Sequence, residues 1–301
     1  MNKDSKVTID VELCTGCGSC VKVCPQQFLS IVNGKAATTG KDSFSCGHCE
    51  AACPQQAIHI VPLDDEMGTY RTFKACTKWL PFGEYNIASL QQLMASRRSC
   101  RNYTERPVDR SLLQDLVKCG ITAPSGTNSQ RWTFTIIPSR KAVTAFALHI
   151  GAYFKRLNRL ATKPLVRTIL RLIGKKELSE YYRDHYESVQ EALNEWEQDR
   201  KDRLFHGATA AIIVGSKADA SCPMEDALLA TQNILLAAHC MGLGSCLVGF
   251  AVAAMKNDRA IQQSLGIPPE EAIHTVIALG YPDEVYHSVI RRKKAELRYV
   301  E

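Results

Sequence analysis

The 301-residue sequence has no apolar run approaching the length that crosses a bilayer, and its first residues, Met1-Asn2-Lys3-Asp4-Ser5-Lys6, lack the apolar stretch of a secretory leader. Those absences argue against a transmembrane segment and lead us to expect a cytoplasmic protein, in a compartment that keeps thiols reduced. The interleaved aromatic and basic residues of an RNA-binding surface are also missing, so nucleic acid is not an expected partner despite a formal charge of +6. That charge is unevenly spread. Residues 1–65 hold 5 lysines and 7 acids, an acidic head on a basic body. Residues 155–176 contain eight Lys or Arg and no acid at all, with leucines and isoleucines between them. We read this segment as a basic amphipathic surface helix, followed over 177–203 by an acidic helix able to face it.

Cysteine, in contrast, is abundant. Seven of the 13 cysteines fall between positions 14 and 53, one local device and not a scattered disulfide framework, which points to metal. Cys14-x2-Cys17-x2-Cys20-x3-Cys24-Pro25 is the spacing at which three thiolates of a tight loop grip one cluster while the fourth ligates another. Zinc would favour two separated CxxC pairs. The second block, Cys46-x2-Cys49-x3-Cys53-Pro54, has Ser43 where its first cysteine would stand. By the crossover rule one cluster takes Cys14, Cys17, Cys20 and Cys53, and the other Cys24, Cys46, Cys49 and the Ser43 position. The second site is open to a 4Fe-4S cluster with serine or solvent on one iron, a 3Fe-4S cluster, or recruitment of a distant cysteine such as Cys76. His48 is read as a hydrogen-bond donor or a solvated residue. Residues 5–65 resemble bacterial-type two-cluster (4Fe-4S) ferredoxins, which implies a module that carries single electrons.

Alternating apolar residues over 7–13 and 57–63 predict short strands flanking the cysteine block. We therefore expect a domain at 1–65, a linker at 66–89 where periodicity is lost, and a second domain at 90–301 with a helical insertion or lid at 150–206. Helical patterns near 90–97, 110–120 and 225–241 alternate with strand-like runs at 133–138, 210–215, 246–250 and 274–279, predicting an α+β fold.

Arg97-Arg98-Ser99-Cys100-Arg101 clusters guanidiniums and a hydroxyl suited to a phosphate monoester. It is followed by Ala123-Pro124-Ser125-Gly126-Thr127-Asn128-Ser129-Gln130-Arg131-Trp132, by residues 225–250 and 278–282, and by Arg291-Arg292-Lys293. Together these resemble the nitroreductase superfamily over about residues 88–301. The resemblance implies bound FMN, with Arg97, Ser99, Arg101 and Arg292 on the phosphate and ribityl end and Arg98 nearby. It places Ser125, Gly126 and Asn128 at the flavin, the first two across the interface of an intertwined homodimer. Leu247, Val248 and Gly249 approach the ring with backbone amides, one of them aimed at flavin N5. Thr209 and Arg131 depart from the family's prolines. The remaining cysteines, Cys76, Cys100, Cys119, Cys222, Cys240 and Cys246, have no ligand spacing and are expected to pack as small apolar residues.

The two modules together predict an oxidoreductase in which ferredoxin or NAD(P)H feeds electrons through the clusters to FMN. From there they reach a small conjugated or aromatic acceptor such as a nitro compound, quinone or enone. Two alternatives carry the same motifs: an FMN-dependent dehydrogenase draining electrons outward through the clusters, and a redox-sensing protein without turnover.

Overall fold

A computed structural model describes residues 6–301 and divides the chain into two compact units. The first comprises residues up to Ala75 together with the loop Pro124–Gln130; the second comprises Cys76–Ala123 and Arg131–Glu301. Residues 66–75 belong to the first unit. No helix among the described residues is long and apolar enough to cross a membrane.

The first unit is a doubled turn–helix motif held between two small antiparallel ladders. Strand β1 (Val7–Ile9) pairs with β4 (Ile58–Ile60), and β2 (Leu29–Val32) with β3 (Lys35–Thr38). The second ladder is a hairpin closed by Asn33-Gly34, both at positive φ (50° and 77°), the turn whose twist matches paired strands. Two short helices, α1 (Ser19–Val23) and α2 (His48–Ala51), follow the two cysteine loops, each opened by a left-handed glycine, Gly18 and Gly47. Left-handed backbone recurs at Gly16 and Ser45, Gly18 and Gly47, and Gln27 and Gln56, each pair separated by the same 29 residues. Gly16 is obligatory: beyond its φ of +70°, a Cβ there would lie 2.0 Å from the carbonyl oxygen of Gly34.

The second unit is built on a four-stranded antiparallel sheet in the order β5 (Trp132–Ile137), β6 (Ala210–Ser216), β8 (Ala272–Gly280), β7 (Gly244–Leu247). Alternation on the strands sorts two cores. Ala210, Ile212, Val214, Ile277 and Leu279 face α4 (Arg110–Gly120) and α9 (Pro223–Cys240). Ala211, Ile213, Val276 and Ala278 face α5 (Arg140–Ala161) and α10 (Gly249–Asn257). With both faces covered, every residue of β6 is buried. Helix α3 (Ile87–Ser96) leads into the Arg97–Arg101 segment, and α11 (Arg259–Ser264) follows α10.

The 150–206 region is helical, although its basic segment is not one helix. Helix α5 runs to Ala161 and Pro164 opens α6 (Pro164–Leu172), because proline at a first turn gives up no hydrogen bond while its ring bars continuation of the helix before it. Helices α7 (Glu177–Asp184) and α8 (Tyr186–Asp199) complete the region. The expected meeting of bases and acids occurs at one point: Lys155 of α5 pairs with Glu197 of α8, while Arg156 pairs with Asp258 at the start of α11. The run read as a strand over 246–250 ends at Leu247, and Gly249 instead begins α10.

Candidate functional site

The first unit brings the cysteines into two groups. Cys14, Cys17, Cys20 and Cys53 line one small cavity with Gly16, Gly18 and Ala36. Cys24, Cys46 and Cys49 line a second with Ser43, Phe44 and His48. Cys76 is not among the residues lining the second cavity. Backbone amides point at the sulfurs: Phe28 N–H to Cys24 Sγ at 3.3 Å, Ala57 N–H to Cys53 Sγ at 3.3 Å and Ala36 N–H to Cys14 Sγ at 3.4 Å. Such donors favour thiolates and tune the clusters they ligate. Burial raises the Cys20 and Cys49 thiols above the ordinary value, each with a smaller contribution from the neighbouring cysteines of its own group. Among the described residues no three His, Cys, Asp or Glu converge as ligands of a single ion. Four thiols around the first cavity, and three with a hydroxyl around the second, are a donor set that fits iron-sulfur clusters. At Ser43 the hydroxyl accepts the Ser45 N–H at 3.1 Å.

In the second unit the Arg97–Arg101 segment runs beside β7. Ser99 bridges to Ser245, and Cys100 N–H donates to the Ser245 carbonyl at 3.0 Å. Glu284 fixes the same segment from the other side, accepting Arg101 N–H at 3.0 Å and the Asn102 amide at 2.8 Å. Arg97 is half-buried; burial first, then Arg98 and Arg292, hold its guanidinium below the usual range. These three cations therefore lie together, and among the described residues none of Arg97, Arg98, Arg101 or Arg292 has a carboxylate paired to its side chain. A group of arginines without its anion fits a phosphate.

Arg101 also lines a cleft of about 1000 Å³ with Cys246, Leu247, Val248 and Gly249. Val248 N–H is spent on the Val276 carbonyl at 2.8 Å, so the amide open to a ligand is that of Gly249, in the first turn of α10 where intrahelical partners are absent. A Cβ on Gly249 would meet nothing within 4 Å, so no close protein neighbour requires glycine at this position. The facing wall supplies Tyr153 and Phe154 from α5, Tyr181 from α7, His185 and His206. Tyr181 donates to Asn158 Oδ1 at 2.5 Å, and burial raises its pKa. Burial depresses the His206 pKa, with the nearby Asp202 opposing. Sequence reasoning left Tyr181, His185 and His206 unranked, since nothing in their local spacing sets them apart from other residues of the region.

Ser125, Gly126 and Asn128 sit in the loop grouped with the first unit. Three residues there have left-handed backbone: Thr127 (φ 52°), Asn128 (φ 54°) and Gln130 (φ 49°). A β-branched residue in that region is an outlier held by its surroundings. Ser125 Oγ accepts Gln130 N–H at 3.1 Å, and the Ser129 hydroxyl is buried with no partner among the described residues. The Asn128 amide donates to the carbonyls of Phe44 at 3.2 Å and Ser45 at 3.0 Å. Of the departures, Thr209 donates to the Arg106 carbonyl at 3.1 Å and Arg131 pairs with Asp219 at 2.6 Å.

Profile comparison matches the nitroreductase family over residues 94–281 and a 4Fe-4S dicluster domain over 13–58. Similar curated proteins include an NADH dehydrogenase of Thermus thermophilus, 26% identical over 189 residues, 62% of this chain and 84% of that one. A 4-nitrobenzoate reductase of Nocardioides sp. is 25% identical over 213 residues (65% and 82%), and an iodotyrosine deiodinase of Thermotoga neapolitana 25% over 200 residues (65% and 89%). Among solved structures, a nitroreductase with bound FMN from Desulfitobacterium hafniense aligns with TM-score 0.51 and 23% identity, over 70% of this chain and 97% of that one, a likeness of fold.

Proposed function

Because the chain belongs to the nitroreductase family and carries a 4Fe-4S dicluster domain ahead of the family fold, we propose that it is an iron-sulfur flavoprotein oxidoreductase. A reduced donor, ferredoxin or NAD(P)H, feeds electrons through two clusters to FMN, which passes them to a small conjugated or aromatic acceptor. The observation that carries this reading is one chain holding both cysteine cages and, in its second unit, an aromatic-walled cleft beside unpaired arginines. When bound, FMN supplies the exchange between single electrons and a hydride equivalent.

In this reading Arg97, Ser99, Arg101 and Arg292, with Arg98 nearby, hold the phosphate and ribityl end. The Gly249 amide, with Leu247 and Val248 behind it, orients the ring, and Ser125, Gly126 and the strained loop around Asn128 contact the flavin. Tyr153, Phe154 and Tyr181 exclude water and stack on a planar acceptor, which favours a nitroarene, quinone or enone over an aliphatic substrate. Cys14, Cys17, Cys20 and Cys53 ligate one 4Fe-4S cluster, and Cys24, Cys46 and Cys49 the other, with Ser43 at its fourth corner. A second copy of the chain completes the protein as a homodimer, which would cover apolar residues left exposed here, among them Leu228, Leu229 and Phe250.

The test is anaerobic purification with iron, sulfide and FMN quantified, then stepwise reduction with reduced ferredoxin and, separately, NAD(P)H, followed optically and by EPR. About eight irons per chain and flavin bleached through the clusters would support the proposal. Clusters that cannot reduce FMN would overturn it.

A further inference from the structure

The loop 124–130 is bonded to one cysteine cage in particular. The Asn128 side chain is fully committed there: its amide nitrogen donates to Phe44 O and Ser45 O, and its oxygen accepts the Gln130 amide at 3.1 Å. Phe44 itself lines the second cavity, beside Ser43 and Cys46. Ser45 closes the network by donating its N–H to Ser43 Oγ. One side chain therefore fixes the two peptide carbonyls between Ser43 and Cys46, where the motif lacks its thiolate and the backbone at Ser45 is itself left-handed (φ 51°). A neutral amide suits the task, since it gives two protons to two carbonyls and keeps an acceptor for Gln130.

We infer that Asn128 is a positioning residue that locks the second cluster's loop to the loop 124–130, and that the second cluster is the one from which electrons reach FMN. The inference rests on the electron route proposed above and on the flavin contact assigned there to this loop. Two electrons arrive one at a time from a reduced low-potential donor, which is oxidised, and two protons come from solvent, giving reduced FMN. The first cluster then stands on the donor side. The hydrogen-bonded path from Cys46 through Ser45 to Asn128 is short and rigid, as efficient single-electron transfer requires.

The experiment uses the full-length holoprotein with excess FMN and compares wild type with Asn128→Ala and Asn128→Asp. Alanine removes both donors; aspartate keeps the shape but turns a carboxylate toward two carbonyl oxygens. EPR-monitored redox titration should show the second cluster's signal and midpoint potential shifted in both variants, more in aspartate, with the first cluster's unchanged. Flavin bleaching after mixing with titanium(III) citrate should slow by about ten-fold or more, the order of loss that misplacing a redox partner brings. An unaltered second-cluster signal with unaltered bleaching overturns the inference. So does an unaltered second-cluster signal with only FMN affinity weakened, which would confine Asn128 to holding the flavin and leave the cluster loop independent of it, and so does joint loss of both clusters, which would make it a general folding residue. If wild-type clusters fail to reduce FMN, the route itself falls, while a selective shift of the second cluster would still establish the positioning role.

Discussion

Asp202 holds the turn before β6 with a single carboxylate. Its oxygens accept the N–H groups of Leu204 (3.0 Å), Phe205 (2.8 Å) and Gly207 (3.3 Å), and Arg140 donates to it at 2.7 Å. Burial pushes its pKa up, but the Phe205 amide and Arg140 outweigh that, and the carboxyl lies below its ordinary value. A folded pKa below the unfolded one means that the stabilisation is present above the unfolded value of about 3.9 and is lost as pH falls through the folded pKa. Asp202→Ala should cost about 2 kcal/mol near neutral pH, read from urea midpoints, chiefly because it leaves three amides of the turn unanswered, the partly exposed Arg140 guanidinium keeping water and the Ala208 carbonyl. The difference between wild type and variant should shrink on acidification below about pH 4; a constant difference would assign the effect to packing. A second residue-scale test concerns the phosphate end. Arg101→Ala should raise the FMN dissociation constant by about ten- to hundred-fold, the value of one charge-assisted contact, measured by flavin fluorescence. The side chain is exposed, so the melting temperature of the flavin-free protein should not move.

Among elements, the two cysteine loops differ in how tightly their glycines are constrained. Gly16→Ala should abolish the first cluster, seen as roughly half the iron lost, because the new methyl collides with a backbone carbonyl that cannot move away. Gly18→Ala should retain iron and cost only about 1 kcal/mol, since its Cβ meets open space and the φ of +77° is the sole penalty. Equal iron content in the two variants would defeat this account. The same scale shows what the sequence makes legible. Cysteine spacing reports the two cages because ligation is a local geometric demand, and helices α3, α4 and α9 follow apolar periodicity. The β2–β3 hairpin is signalled in the sequence by Asn33-Gly34 alone, since its strands are four residues each and too short to carry a clear alternation. The start of α10 at Gly249 was read as strand because Cys246-Leu247-Val248-Gly249-Phe250 is continuously apolar, and a short apolar run does not separate a buried strand from a buried helix. The cleft's facing wall was illegible for a different reason: Tyr153, Tyr181 and His206 meet by tertiary packing across more than fifty positions of sequence.

At the scale of the whole molecule, stability is unequally distributed. The second unit buries two cores, one on each face of its sheet, whereas the described residues of the first bury a single small cluster, Val7, Cys20, Leu29, Ala36, Cys49, Ile58 and Ile60, two of them cysteines, with Ala57 beside it. So small a core needs its clusters to stay folded. Chelating the iron under anaerobic reducing conditions should therefore unfold the first unit and leave the second, seen as a lost low-temperature calorimetric transition and as protease cleavage confined to residues before α3. A single transition that survives chelation unchanged would show that the first unit folds without metal.

The matched bends at Gly16 and Ser45, Gly18 and Gly47, and Gln27 and Gln56 describe a half-module written twice. Two identical copies would hold electrons equally well, and traffic between them would have no preferred sense, like water between two level basins. With Ser43 standing opposite Cys14, the two halves differ at a ligand position, and under the proposed route that difference is what would give the pair a sense of direction.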